Sequence, residues 1–241
     1  MTAASGRGWS VERRTDTPRV VHGPWPAPGE RRHRTVGLCT VVGAPTLVLG
    51  STQDGDVVDA ARTAASGVEV VRRASGGGAV LVGPDAQVWL DVWLPRHDPL
   101  WDDDVIRSSW WLGEAWARAL DGLGATGVAV HHGRATATEW SDLVCFAGLG
   151  PGEVTSGTAK VVGVAQRRTR AGARLHSMAP LSWAPDSVLS LLALDDEQVR
   201  DARRALDDVA TGIRAVVAPL HDVDGKVAIA AVEEAVLAAL P

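Results

Sequence analysis

The feature that most restricts the fold is a series of short, valine-rich apolar runs in the first half of the chain. Glycine, proline or aspartate residues bound these runs, which cover residues 36–42, 46–50, 68–72, 79–82 and 87–94. Apolar runs of this length are typical of strands, because a helix needs a longer segment with a three- to four-residue period. We therefore predict a strand in each run and one short helix over residues 54–66.

Helical periodicity is clearest farther along the chain, where Leu112, Trp116 and Ala119 recur at helical spacing. We predict helices over residues 104–123, 196–210 and 226–240, with a second strand-rich segment over 128–178. The aspartates at 102–104 would cap the first of these helices. Strands, a helix, strands and helices in this order predict an α+β fold with a mixed, largely antiparallel sheet and flanking helices. Residues 1–35 show no sustained period of apolar residues, and we therefore predict that they form an irregular lead-in.

Composition narrows the class of protein. The net charge of -5 argues against a dedicated nucleic-acid binder, whose footprint is normally basic. No apolar run approaches the roughly 20 residues of a membrane-spanning helix. Cys39 and Cys145 are the two cysteines of the chain, too few for a disulfide framework, so we expect a cytoplasmic protein. His131 and His132 are adjacent and lack further ligands at suitable spacing, and we predict no structural metal.

A glycine loop lies between two of the predicted strands, where residues 71–80 read V-R-R-A-S-G-G-G-A-V. Gly76, Gly77 and Gly78 would let a ligand approach the backbone N–H groups, which form a cradle for an anion. Arg72 and Arg73 would add positive charge beside that cradle. The alternative is a glycine-rich hairpin with a surface arginine pair.

Lys160 stands out because, of 24 basic residues, only Lys160 and Lys226 are lysines. It opens the segment A-K-V-V-G-V-A-Q-R-R, which continues to His176. A compact ammonium can donate to several oxygens of one reacting group, where a planar guanidinium is too broad. Lys160 is therefore a candidate for holding the oxygens of a reacting group.

The glycine loop and the lysine segment together resemble the two signature blocks of the lipoate–protein ligase family. The resemblance implies the catalytic-domain fold of biotin and lipoate protein ligases, as a single domain over residues 36–241 with two C-terminal helices. It also implies that Lys160 is catalytic and that Lys160 and the glycine loop face one cleft. The residues it assigns to acyl or nucleotide binding are Arg72, Arg73, Ser75, Gly76, Gly77, Gly78, Ala79, Gly163, Ala165, Gln166 and His176.

The activity implied by this resemblance is ATP-dependent. Lipoate or octanoate would be activated by ATP and Mg²⁺ to an acyl-adenylate, and Lys160 would stabilise the charge that develops on its oxygens. The acceptor would be a lysine of a lipoyl domain, in a 2-oxoacid dehydrogenase complex or in the glycine cleavage H protein.

Two alternatives stay open. Cys145-Phe146, with Glu153 between it and Lys160, resembles the cysteine-dependent octanoyltransferases, which take the acyl group from acyl carrier protein without ATP. Against a catalytic Cys145, free cysteines most often serve as small buried hydrophobes. The chain also has Val82-Gly83 where the family usually carries His-Asp, which leaves a non-catalytic acyl-binding relative as the second alternative.

Two further polar features need an interpretation. Asp91 interrupts an apolar strand on the face shared by Trp89 and Trp93, and an unpaired buried carboxylate is costly. We predict an edge position or a hydrogen-bonded structural role for it, with a place in the pocket wall as the alternative. The arginines of the lysine segment, from Arg167 to Arg174, are predicted to form a solvated face or a docking surface for an acidic partner.

Overall fold

The computed structural model describes residues 3–4, 8–26 and 32–241, and within them the chain forms two sheets. The larger sheet has the strand order β1-β2-β3-β7-β11-β10-β9-β8 and the smaller one β5-β4-β6. All neighbouring strands are antiparallel except β2–β3 and β4–β5. The strands are β1 (Ala3–Ala4), β2 (Ser10–Asp16), β3 (Thr35–Val41), β4 (Thr46–Leu49), β5 (Glu69–Arg72), β6 (Val80–Val82), β7 (Gln87–Pro95), β8 (Val128–Val130), β9 (Val154–Ser156), β10 (Ala159–Arg168) and β11 (Gly172–Pro180).

The helices cover the sheets. They are α1 (Pro18–Val21), α2 (Ala60–Ala65), α3 (Trp110–Gly122), α4 (Pro185–Leu189), α5 (Asp196–Leu206), α6 (Ile213–Val216) and α7 (Gly225–Ala239). Asp195 caps α5 through a capping box with Gln198, which satisfies backbone N–H groups that the first turn leaves open. No helix in the described ranges is long and apolar enough to cross a membrane. The α+β fold class and the five early strands are confirmed.

The central strand β7 explains where the site lies. Its alternate side chains point to opposite faces of the sheet, and both faces are buried. Leu90 and Val92 pack into the main core beneath α3 and α7. Trp89 belongs to a second cluster that includes strands of the small sheet. The space between the two sheets therefore receives the odd-numbered side chains of β7.

Two predictions of local structure were wrong. Residues 10–16 form β2, which pairs with β3, rather than part of an irregular lead-in. Residues 1–2, 5–7 and 27–31 of that predicted lead-in lie outside the described residues. The long helix begins at Trp110, not near Asp104, because the Asp104 carboxylate accepts from the N–H of Ile106 and holds the chain in a preceding turn.

Candidate active site

One cleft contains both predicted signature blocks. Gly76, Gly77 and Gly78 line it from the small sheet, and Lys160 lines it from β10 of the large sheet. The cleft has a volume of about 410 Å³. The predicted juxtaposition of the ammonium and the glycine loop is therefore present in the structure.

Close backbone contacts explain why the loop requires glycine. Strand β4 lies between β5 and β6, so the loop crosses the end of β4 and is not a hairpin turn. A Cβ atom on Gly50 would lie 1.8 Å from the Gly77 carbonyl oxygen, and one on Gly78 would lie 2.6 Å from the backbone of Val144. Gly77 also has a φ of 97°, which other residues rarely adopt. The loop is thus pressed against the segment that carries Cys145.

The two arginines before the loop bind backbone carbonyls. Arg73 is 5% exposed and donates to the carbonyl oxygens of Gly76 at 2.7 Å and Gly78 at 2.9 Å. Arg72 donates to the carbonyl oxygens of Gly50 and Gln53. Their guanidinium groups fix the shape of the loop, and neither arginine lines the polar cleft, whereas Arg73 lines a neighbouring apolar cavity.

The loop amides, in contrast, are available. Within the described residues, the N–H groups of Gly76, Gly77 and Gly78 donate no hydrogen bond. The hydroxyl of Ser75 is buried and also lacks a partner there. Ala79 is tied down, because its N–H donates to the Leu143 carbonyl at 2.8 Å. Unused N–H groups at the wall of a cleft are suited to a carbonyl oxygen or an anion.

Lys160 is buried, and protein oxygens occupy its ammonium. It lies 2.6 Å from Glu153 Oε2 and donates to the carbonyl oxygens of Cys145 at 2.9 Å and Gly148 at 3.0 Å. Glu153 also accepts from the N–H of Gly150 at 2.6 Å and of Val164 at 3.1 Å. A lysine ammonium has three donors, so Lys160 has none left for a ligand in this arrangement.

Cys145 lies where two cavities meet. It lines the polar cleft and also a smaller apolar cavity, the near chamber, whose wall includes Trp89, Gly163 and Val164. Its N–H donates to the Ala79 carbonyl at 2.9 Å, while its own carbonyl accepts from Lys160. The cysteine is therefore attached to the small sheet on one side and to the large sheet on the other.

The remaining residues of the lysine segment divide between the two cavities. Gly163 lines the near chamber, and Ala165 lines both the chamber and the cleft. Gln166 lines the cleft, but its amide group is held by the Val105 carbonyl at 2.6 Å and by the Ser108 hydroxyl at 3.0 Å. A Cβ atom on Gly163 would lie 3.5 Å from both Lys160 and Phe146, an ordinary van der Waals distance.

His176 belongs to a buried ionic network around Asp91. The Asp91 carboxylate is fully buried and lies 2.6 Å from His176 Nδ1, 2.8 Å from Arg14 Nη1 and 2.5 Å from Arg174 Nη2. Burial alone would raise the pKa of Asp91, but His176, Arg174 and Arg14 together hold it below its usual range. The predicted structural role of Asp91 agrees with these contacts, whereas the prediction that Arg174 is solvated was wrong because the arginine neutralises this carboxylate.

His22 is a member of the site region that the sequence did not reveal. It lines the near chamber together with His176, and their ring centroids are 5.5 Å apart. Both of its ring nitrogens are buried without a hydrogen-bond partner in the described residues. Burial, reinforced by His176, lowers the pKa of His22 to about 3. The imidazole is therefore neutral at physiological pH.

The fold is that of a lipoate protein ligase. The structure of a bipartite lipoate protein ligase from Thermoplasma acidophilum, solved in work that also covers its E2 lipoyl domain, superposes with a TM-score of 0.65. The match covers 95% of this chain and 82% of that one at 17% sequence identity, a level that establishes the fold alone.

Sequence similarity defines the family. The chain belongs to the lipoyl protein ligase A/B catalytic-domain family, whose sequence profile matches residues 30–241. It is 31% identical over 175 residues to an octanoyltransferase LipM of Kyrpidia tusciae and 32% identical over 158 residues to one of Moorella thermoacetica. The alignments cover 70% and 65% of this chain but 63% and 57% of those proteins. The family resemblance drawn from the two signature blocks is confirmed.

Proposed function

We propose that the protein is a cysteine-dependent acyltransferase that moves an octanoyl or lipoyl group from a thioester donor to a lysine of a lipoyl domain. The single observation that carries this proposal is the position of Cys145, at the junction of an apolar chamber and a polar cleft. The apolar wall of the chamber suits the methylene groups nearest the thioester, and the cleft suits the polar groups of donor and acceptor. Similarity to the two octanoyltransferases supports the same chemistry.

In the first step, the Cys145 thiolate attacks the thioester carbonyl of the donor, for which acyl carrier protein is the expected source. A new C–S bond to Cys145 forms, the C–S bond to the donor breaks, and the donor thiolate leaves and takes up a proton. The free N–H groups of Gly76, Gly77 and Gly78 stabilise the negative charge on the carbonyl oxygen during the attack.

In the second step, the neutral amine of the acceptor lysine attacks the acyl-cysteine carbonyl. An amide bond forms, the C–S bond to Cys145 breaks, and the amine proton restores the thiol. No external energy source is needed, because a thioester is a more reactive acyl donor than the amide that forms.

Lys160 is assigned a positioning role with an electrostatic component. It holds the backbone carbonyl of Cys145 at 2.9 Å, and Glu153 at 2.6 Å balances its charge. The lysine thereby fixes the backbone of the residue whose thiolate is the nucleophile. Its occupied donors agree less well with direct binding of an adenylate phosphate.

The ATP-dependent ligase is the second candidate, and the glycine loop favours it. Residues 75–80, S-G-G-G-A-V, are closer to the ligase signature than to that of the transferases, and the unused loop amides also suit a phosphate. In this reaction the Lys160 ammonium would have to give up its contact with Glu153 or with one of the two carbonyl oxygens in order to bind the nucleotide.

One experiment separates these reactions. Purified protein is incubated with an apo lipoyl domain and either octanoyl carrier protein or octanoate, lipoate, ATP and Mg²⁺, and the acceptor mass is measured. We expect acylation from the carrier protein without ATP. With the acceptor omitted, the enzyme itself should gain one octanoyl group.

Cys39 provides a matched control, because it is the other free cysteine and is buried in β3. The covalent adduct should vanish in Cys145→Ala and persist in Cys39→Ala. Acylation that requires ATP and survives Cys145→Ala would replace the proposal with the ligase reaction. A protein that binds octanoate but acylates no acceptor with either donor would be a non-catalytic relative.

A further inference from the structure

We propose that Phe146 separates the near chamber from a second apolar cavity and thereby limits the length of the acyl chain that the enzyme transfers. The inference rests on the proposed function, since the chain in question is the one attached to Cys145. It concerns a different property, the selection among acyl groups, which can be tested separately.

The second cavity, which we call the far chamber, lies between the small sheet and α4. Its wall includes Pro45, Leu81, Trp183 and Val188, and it does not include Cys145. The far chamber has a volume of about 320 Å³, against about 50 Å³ for the near chamber. Its wall is predominantly apolar, so a hydrocarbon chain could occupy it without leaving polar groups unpaired.

The two chambers share part of their walls. Val80, Val82, Phe146 and Met178 line both of them. Val80, Val82 and Met178 lie on strands β6 and β11. Phe146 lies on a short 3-10 turn outside the sheets and is the only aromatic side chain of the four, so its truncation opens the largest gap in the partition.

The surroundings of Phe146 hold the ring in place. The side chain is 2% exposed, its ring centroid lies 5.4 Å from that of Trp183, and the Lys160 ammonium lies 4.9 Å from it on another side. Phe146 also follows Cys145 directly in sequence. A chain extending from the Cys145 sulfur into the near chamber therefore meets this ring before it can reach the far chamber.

Removing the ring should join the chambers and favour longer chains. Each additional methylene that becomes buried contributes about a fourfold gain in binding. The experiment compares octanoyl and dodecanoyl carrier protein as donors for wild type, Phe146→Ala and Phe146→Leu. We expect the dodecanoyl-to-octanoyl ratio of kcat/KM to rise at least tenfold in Phe146→Ala and less in Phe146→Leu.

A substitution that fills the far chamber should reverse the effect of Phe146→Ala on chain-length preference. Ala184 lines the far chamber but not the near one. Ala184→Phe alone should leave octanoyl transfer unchanged, and in the Phe146→Ala background it should lower the ratio again. A ratio that stays at the wild-type value in Phe146→Ala overturns the proposal, with Phe146→Leu used if the alanine variant does not fold.

A binding measurement separates this inference from the proposed function. If wild type transfers no acyl group, the transferase proposal fails, but calorimetric titration with octanoate and dodecanoate still reports on the chambers. The same rise in preference for dodecanoate in Phe146→Ala, reversed by Ala184→Phe, is then the expected result. Equal relative affinities in all variants would exclude a partition at Phe146.

Discussion

The Lys160 ammonium donates a hydrogen bond of 2.9 Å to the carbonyl oxygen of Cys145, the residue that we propose as the nucleophile. The lysine therefore acts on the backbone that carries the thiol, and its charge is balanced by Glu153 at 2.6 Å. Both side chains are almost fully buried. Lys160 thus both positions the backbone of Cys145 and neutralises the Glu153 carboxylate, and substitutions can separate the two roles.

The first prediction uses the Lys160–Glu153 pair. Lys160→Met should abolish acyl transfer and lower the free energy of unfolding by about 3–5 kcal/mol, because it leaves the Glu153 carboxylate buried without a counter-charge. Adding Glu153→Gln should restore much of that stability, measured by denaturant unfolding, but not the transfer. Recovery of activity together with stability would show that Lys160 has only a structural role.

The second prediction compares two glycines of the same loop. Gly78→Ala should displace the loop from Val144 and reduce acyl transfer at least 100-fold, since a shift of about 1 Å at a reacting group costs that much. A Cβ atom on Gly76 would meet nothing within 4 Å, so Gly76→Ala should keep the wild-type melting temperature. Full transfer activity in Gly78→Ala would contradict the close packing seen here.

The third prediction concerns the Asp91 network. Asp91→Asn should destabilise the fold by about 3–5 kcal/mol, because Arg14 and Arg174 would lose their buried counter-charge. The exposed pair formed by Asp186 and Arg203 is the control, and Asp186→Asn should change stability by less than about 0.5 kcal/mol. Similar losses in the two variants, measured by urea unfolding, would count against a stabilising network.

The fourth prediction concerns Glu233 on the inner face of α7. Burial raises its pKa from 4.5 to about 7, so folding disfavours the charged form. The penalty is absent below pH 4.5, grows between pH 4.5 and 7 as the unfolded chain alone ionises, and is complete above pH 7. Glu233→Gln should therefore stabilise the protein at pH 8 by about 2 kcal/mol, allowing for residual solvent contact, and leave stability at pH 4.5 unchanged. A gain of equal size at both pH values would exclude titration of Glu233 as its cause.

The fifth prediction has the opposite pH dependence. The pKa of His22 falls from 6.5 to about 3 on folding. As the pH decreases, the unfolded chain therefore protonates at His22 before the folded chain does. Stability is then lost as the pH decreases below 6.5 towards 3. Between pH 7.5 and pH 5, the melting temperature of wild type should fall more than that of His22→Gln. Parallel melting curves over that range would mean that His22 does not contribute to the acid sensitivity.

Much of the fold could be predicted because its strands are apolar and short. The early runs, from Val36 to Leu94, match strands β3 to β7 within one or two residues. Strand β2 was missed, because S-V-E-R-R-T-D contains a single apolar residue and gains its stability from pairing with β3. Pairing between distant segments leaves no periodic signal in a polar strand.

The candidate site was predictable where its chemistry is local. The glycine loop and Lys160 could be assigned to one cleft from their motifs. The contacts of Arg73, Arg14 and His22 could not, because each depends on partners or cavities that form only when separate segments pack together. The contacts that use up the donors of the Lys160 ammonium were missed for the same reason. Gly148 and Glu153 come close to the lysine only when the chain is folded.

The backbone of Cys145 joins the two sheets, through Ala79 on one side and Lys160 on the other. Cys145 begins a short 3-10 turn that is hydrogen-bonded to both sheets, so the position of its sulfur depends on both. We expect a substitution that shifts either sheet at these contacts to shift the thiol as well. Engineering of this protein for new acyl groups should therefore conserve the spacing of the two sheets before it alters the walls between them.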